Sequence, residues 1–98
     1  MQIKIHKGYR TTVALCDSDL IEKIFEEDNK QIEIKTHFFK GEEKTKKEII
    51  PIIQDLIKED ATFNIVGKES IETALQAGII SKQGIITIDN IPIALILL

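Results

Sequence analysis

A single cysteine, two prolines, one tyrosine and no tryptophan distinguish this 98-residue chain by what it lacks. One cysteine cannot close an internal disulfide, so oxidative stapling is excluded and a reducing, cytoplasmic setting is expected. Met1-Gln2-Ile3-Lys4-Ile5-His6 has no apolar stretch of the signal-peptide kind. The longest apolar run, Ile91 to Leu98, is far shorter than the ~20 residues that cross a bilayer, so no membrane span is expected. A large excess of charge of one sign is missing too: 13 Lys and Arg stand against 16 Asp and Glu, a net of −3. That balance argues against a protein that coats DNA by bulk charge, though not against a local basic patch. There is no low-complexity tract, internal repeat or linker. With 43% hydrophobic and 30% charged residues, the chain reads as one globular domain over residues 1–98.

Periodicity gives the order of elements. Ile3 and Ile5 alternate with Gln2, Lys4 and His6, as in a half-buried strand, and Thr11 to Cys16 resumes after a Gly8 turn to complete a hairpin. Asp17 and Ser18 are good N-caps for a short helix with Leu20, Ile21, Ile24 and Phe25 on one face, ended by Asp28-Asn29. A second alternation from Gln31 to Phe39 predicts a strand that Gly41 ends. Thr45-Lys46-Lys47-Glu48 matches a capping box, and the helix behind it runs towards Asp60. Pro51 should bend that helix or delay its tightening. Phe63 to Val66 reads as a strand, Gly67 as a turn, Lys68 to Ala77 as a helix and Gly78 as its left-handed end. Ile85 to Ile88 and Ile91 to Leu98 read as two strands separated by Asp89-Asn90, with Pro92 at an edge or just outside the ladder. The order ββαβαβαββ implies an α+β domain: one mixed sheet with about three helices packed mainly on one face.

Four constellations could carry chemistry. Cys16 closes a strand before a helix start, where a thiol pKa can fall, and His6 or His37 could pair with it if their strands were neighbours. With no acid or oxyanion-hole motif beside the thiol, the residue reads first as a small buried hydrophobe. Asp17 and Asp19 have a spacing that can hold a divalent cation, yet capping and the helix dipole explain acids at a helix start. Two His and one Cys without CxxC, HxH or HExxH spacing predict no metal, and no motif predicts a cofactor. Gly67 and Lys68 join a strand to a helix start, a geometry that offers backbone N–H groups and one cation to a phosphate; it is not a P-loop, because Thr62 and Glu69 break the pattern. Finally, Lys7, Tyr9 and Arg10 form a basic, aromatic hairpin tip. A tyrosine face there can stack on an unpaired base while the cations hold phosphates. Lys40, Lys44, Lys46 and Lys47 form a second basic run, diluted by Glu42, Glu43 and Glu48.

Three blocks, Cys16-Asp17 with Leu20, Phe38-Phe39-Lys40-Gly41-Glu42 and Asn64-Ile65-Val66-Gly67-Lys68, together with Ala74, Gly78-Ile79 and Ile91-Pro92, resemble the archaeal domain-of-unknown-function family 424 over the whole chain. The family usually has Tyr at the place of Phe39, Gly at Lys40, Leu-Gly at Ile21-Glu22 and His at Ile93. The resemblance implies an archaeal cytoplasmic protein with a contextual link to RNA or translation, and it carries no established activity.

Three functional readings follow. The leading one is a non-enzymatic binding module for RNA or a component of the translation apparatus, using Lys7, Tyr9 and Arg10, with Gly67 and Lys68 as a second anion contact. The alternative is a protein-interaction or homo-oligomeric module built on Ile91 to Leu98, which is apolar on both faces of any strand and must be covered, buried or partnered. The third is a thiol enzyme at Cys16.

Overall fold

The computed structural model describes residues 1–97. Its elements are β1 (Gln2–His6), β2 (Thr12–Cys16), a 3₁₀ turn (Ser18–Leu20), β3 (Ile24–Glu27), β4 (Lys30–Glu33), α1 (Thr36–Phe39), β5 (Glu42–Glu43), α2 (Lys46–Lys58), β6 (Thr62–Val66), α3 (Lys68–Ala77), a second 3₁₀ turn (Lys82–Gly84), β7 (Ile86–Ile88) and β8 (Ile91–Ile96). The chain folds as the expected α+β domain. One six-stranded mixed sheet has the order β5-β1-β2-β6-β8-β7, and β3 and β4 form a separate hairpin. β2 and β6 are parallel; every other neighbouring pair in the sheet is antiparallel.

Strand alternation divides the core in two. Ile3, Val13, Leu15, Phe63 and Ile65 point to the first face, where Ile49 and Ile53 of α2 and Ile71 and Ala74 of α3 meet them. Ala14, Cys16, Val66 and Ile93 point to the second face, beneath Leu20, Ile34 and Phe39. The two long helices therefore share a face as expected, while α1 and the β3–β4 hairpin pack on the other.

Local signals hold where their partners are local. Glu48 accepts from the Thr45 amide at 2.9 Å and Thr45 Oγ1 accepts from the Glu48 amide at 3.3 Å, so the capping box starts α2 as predicted. The helix does not wait for Pro51 but runs unbroken from Lys46; the Lys47 carbonyl that loses its partner belongs to an exposed residue. Gly78 ends α3 at φ 78°, and Asp89 and Asn90 (φ 51° and 65°) make a two-residue hairpin turn.

Residues 17–39 depart from the expectation. Leu20, Ile21, Ile24 and Phe25 do not share a helix. A 3₁₀ turn, then Glu22 at φ 74°, lead into β3, and Phe25 pairs with Ile32 across the hairpin. Ten residues are marginal for a helix, and a cross-strand apolar pair that caps the second core competes successfully. The expected strand from Gln31 to Phe39 stops at Glu33, and Thr36 to Phe39 turn as α1. Phe38 and Phe39 are adjacent yet both reach the second core, which a strand with one buried face cannot arrange and a helical turn can.

Pro92 also sits differently from the prediction. It lies inside β8, between β6 and β7, and not at an edge. The ladder tolerates it because the partner carbonyl is occupied: Gly67 O accepts from Ile71 N at 2.9 Å, while Gly67 N donates to Pro92 O at 2.9 Å. The strand-to-helix turn removes the acceptor that a missing proline N–H would have left unpaired.

Candidate functional site

The turn at Gly67 is built around a carboxylate. Gly67 adopts φ 111°, and a Cβ there would lie 2.3 Å from Asp17 Cγ. Asp17 Oδ2 accepts from the Glu69 amide at 3.1 Å, and Oδ1 accepts from both the amide and the hydroxyl of Ser70 at 2.8 Å. Ser70 is fully buried. The Glu69 and Ser70 amides of α3 are thus satisfied by the chain itself, and the carboxylate occupies the place a phosphate would take. The turn at Gly67 is as expected; the anion site at Gly67 and Lys68 is corrected, since Lys68 keeps only an exposed side chain beside a filled site. Asp17 caps α3 and makes no side-chain cap on its own turn, contrary to the local reading.

Cys16 is likewise closed off. It is fully buried in the second core, paired in register with Gln2 on one side and Val66 on the other. Burial, with Asp17 beside it, pushes the thiol up to about 12. Neither histidine faces it: the His6 ring stacks on Phe38 at 4.8 Å, and His37 is exposed on α1. Among the described residues no three His, Cys, Asp or Glu side chains gather as a metal site.

The hairpin tip between β1 and β2 is open. Lys7, Gly8, Tyr9 and Arg10 are all exposed, and Tyr9 projects its whole side chain into solvent. Tyr9, Arg10 and Thr11 share a shallow cleft with Glu59 and Asp60, but Arg10 makes no ion pair among the described residues. Two members of the second basic run are paired: Lys44 lies 3.5 Å from Glu42 and Lys46 3.0 Å from Glu72.

Beside the tip, part of the sheet's second face has no covering element among the described residues. α1 runs along β1, where Lys4 Nζ donates to His37 O at 2.6 Å and His6 Nε2 lies 2.8 Å from Phe38 O. The β3–β4 hairpin reaches β7, and Glu27 accepts from the Asp89 amide at 2.8 Å. Between these covers, Thr12, Thr62 and Asn64 are half-buried, Ile86 and Leu95 are each 52% exposed, and Leu97 is 71% exposed. The Thr62 hydroxyl donates to that of Thr12 at 3.1 Å. β8 is thus buried at Ile93 and Ala94 and open at Leu95, and the apolar run continues to Leu98, which lies outside the described residues. Periodicity did not identify this open floor. A compositional signal was available: β1, β2, β6, β7 and β8 contain no Asp or Glu. No helix among the described residues is long and apolar enough to cross a membrane.

The model of a family described as "Protein of unknown function (DUF424)" matches residues 5–98. No curated protein matches the chain. The crystal structure of an uncharacterized conserved protein from Methanopyrus kandleri superposes with a TM-score of 0.86 at 20% identity, over 97% of this chain and 88% of that one. That likeness establishes the fold.

Proposed function

The chain belongs to the DUF424 family, whose function is unknown, and from that premise we propose that it is a non-enzymatic RNA-binding module serving the translation apparatus in an archaeal cytoplasm. One observation carries the reading: Tyr9 stands fully exposed at a hairpin tip between Lys7 and Arg10. An aromatic ring in water gains by stacking on an unpaired base, and neighbouring cations hold the flanking phosphates. With a net charge of −3, such binding is local and depends on salt. Titration of a fluorescein-labelled oligouridylate by anisotropy tests it. Arg10→Ala should weaken binding and lower the logarithmic salt slope by about 0.7, the loss of one single-strand phosphate contact. Tyr9→Ala should weaken binding with the slope unchanged. An absence of binding by the folded protein at low salt overturns the reading.

A second reading has its own observation, the exposure of Leu95 in β8 and of Leu97 just beyond it. An apolar strip of this kind suits an interface between copies of the chain. Light scattering across a wide concentration range distinguishes a monomer from such a homo-oligomer.

A further inference from the structure

We infer that the uncovered part of the sheet's second face is the path of a single RNA strand running from the Tyr9 tip across β2, β6 and β8. The inference rests on the RNA reading above and extends it from a tip to a surface. Three observations carry it.

The first is charge. The chain has 16 Asp and Glu residues, yet the five strands that build this floor have none; the ionisable side chains they carry are Lys4, His6 and Cys16, and Cys16 is buried. Lys7 and Arg10 lie at the tip that continues from β1. Glu59 and Asp60 share the tip cleft with Arg10, while the floor strands themselves present no carboxylate to repel a polyanion, and Lys7 and Arg10 lie exposed at their end.

The second is the chemistry of the floor. Thr12, Thr62 and Asn64 offer hydroxyl and amide groups, and Ile86 and Leu95 offer exposed aliphatic surface beside them. A strand with splayed bases uses both, laying base faces on the aliphatic side chains and bonding base edges and 2′-hydroxyls to the polar ones. A duplex presents phosphates outward and would leave Leu95 and Ile86 wet. The mixed floor therefore selects single-stranded RNA.

The third is the wall. The His6 ring stacks on Phe38 with an interplanar angle of 15°, and Lys4 is tied to the α1 backbone. The polar and aromatic border on this side is therefore held in place by bonds already made.

The test is anisotropy with three labelled probes: an oligouridylate, a blunt RNA duplex of equal length, and an oligothymidylate. Leu95→Glu should weaken oligouridylate binding about tenfold or more, as loss of a base contact and gain of repulsion require. Leu95→Lys should retain affinity and steepen the salt dependence. Ile86→Glu, on a different strand, repeats the measurement should Leu95→Glu fail to fold. Wild-type affinity in both glutamate variants, with binding lost in Tyr9→Ala, removes the floor and leaves the tip reading standing. Equal affinity for the duplex overturns the single-strand assignment, and equal affinity for oligothymidylate overturns the assignment to RNA. A wild-type dimer that Leu95→Glu disperses with RNA affinity unchanged makes the strip an interface between copies and overturns the proposal. No binding by the wild type to any probe ends the RNA reading and this one together.

Discussion

The carboxylate of Asp17 holds the amide and the hydroxyl of Ser70, both at 2.8 Å, across 53 residues of chain. The contact joins the end of β2 to the start of α3, so one side chain fixes how the α3 helix leaves the parallel β2–β6 pair. Asp17→Ala removes a helix cap and leaves the buried Ser70 hydroxyl without this partner, a loss of about 2–3 kcal/mol. Asp17→Asn keeps one acceptor and should cost about 1 kcal/mol. Urea unfolding monitored by circular dichroism measures both.

Gly67→Ala should be more damaging than an ordinary turn substitution. At φ 111° a side chain is strained, and its Cβ would meet the Asp17 carboxylate at 2.3 Å. A loss of at least about 2 kcal/mol is expected, where a compatible Gly→Ala change would gain up to about 1. In an Asp17→Ala background the clash disappears and the strain stays, so the cost should fall without vanishing. Additive costs in the double-mutant cycle would show that the carboxylate does not restrict position 67.

These two residues also show what the sequence conveys. The Gly67 turn was legible because the strand, the glycine and the helix are contiguous. The filling of its anion position was not, since the filling group lies some 50 residues away and reads locally as the cap of another helix. The same limit applies from residue 17 to residue 39, where Leu20, Ile21, Ile24 and Phe25 fit a helical face, and only Ile32 in the opposing strand decides for a hairpin. Thr45 with Glu48, Gly78, and Asp89 with Asn90 were legible because their partners lie within a few residues. At the candidate site the tip residues could be read directly. The open floor could not, since it depends on where α1 and the β3–β4 hairpin end.

Glu43 should give the fold an acid-sensitive corner. The Met1 ammonium and then the Ser18 hydroxyl bond its carboxylate and hold it below the ordinary value of 4.5. A depressed folded-state value means that the stabilisation is present above 4.5 and is lost as pH falls through the folded value. The side chain is 60% exposed, so the effect is small. Glu43→Gln should lower stability slightly at neutral pH and reduce its acid dependence; identical pH profiles for variant and wild type would exclude this role.

Cys16 should act at the other end of the pH range. Burial raises its thiol from 9.0 to about 12, so the folded chain keeps the proton where the unfolded chain releases it. The stabilisation is complete below 9.0 and is lost as pH rises towards 12. Within that window the thiol's contribution falls by about 1.4 kcal/mol per pH unit. Cys16→Ala should lower stability at neutral pH by leaving a small void at a fully buried position, and it should flatten the alkaline decline. Labelling of the native protein with a disulfide reagent should proceed only as fast as the chain opens, so that urea accelerates it. Rapid labelling of the folded state, with a rate that titrates near an ordinary thiol value, would contradict the buried geometry and revive a chemical role for Cys16.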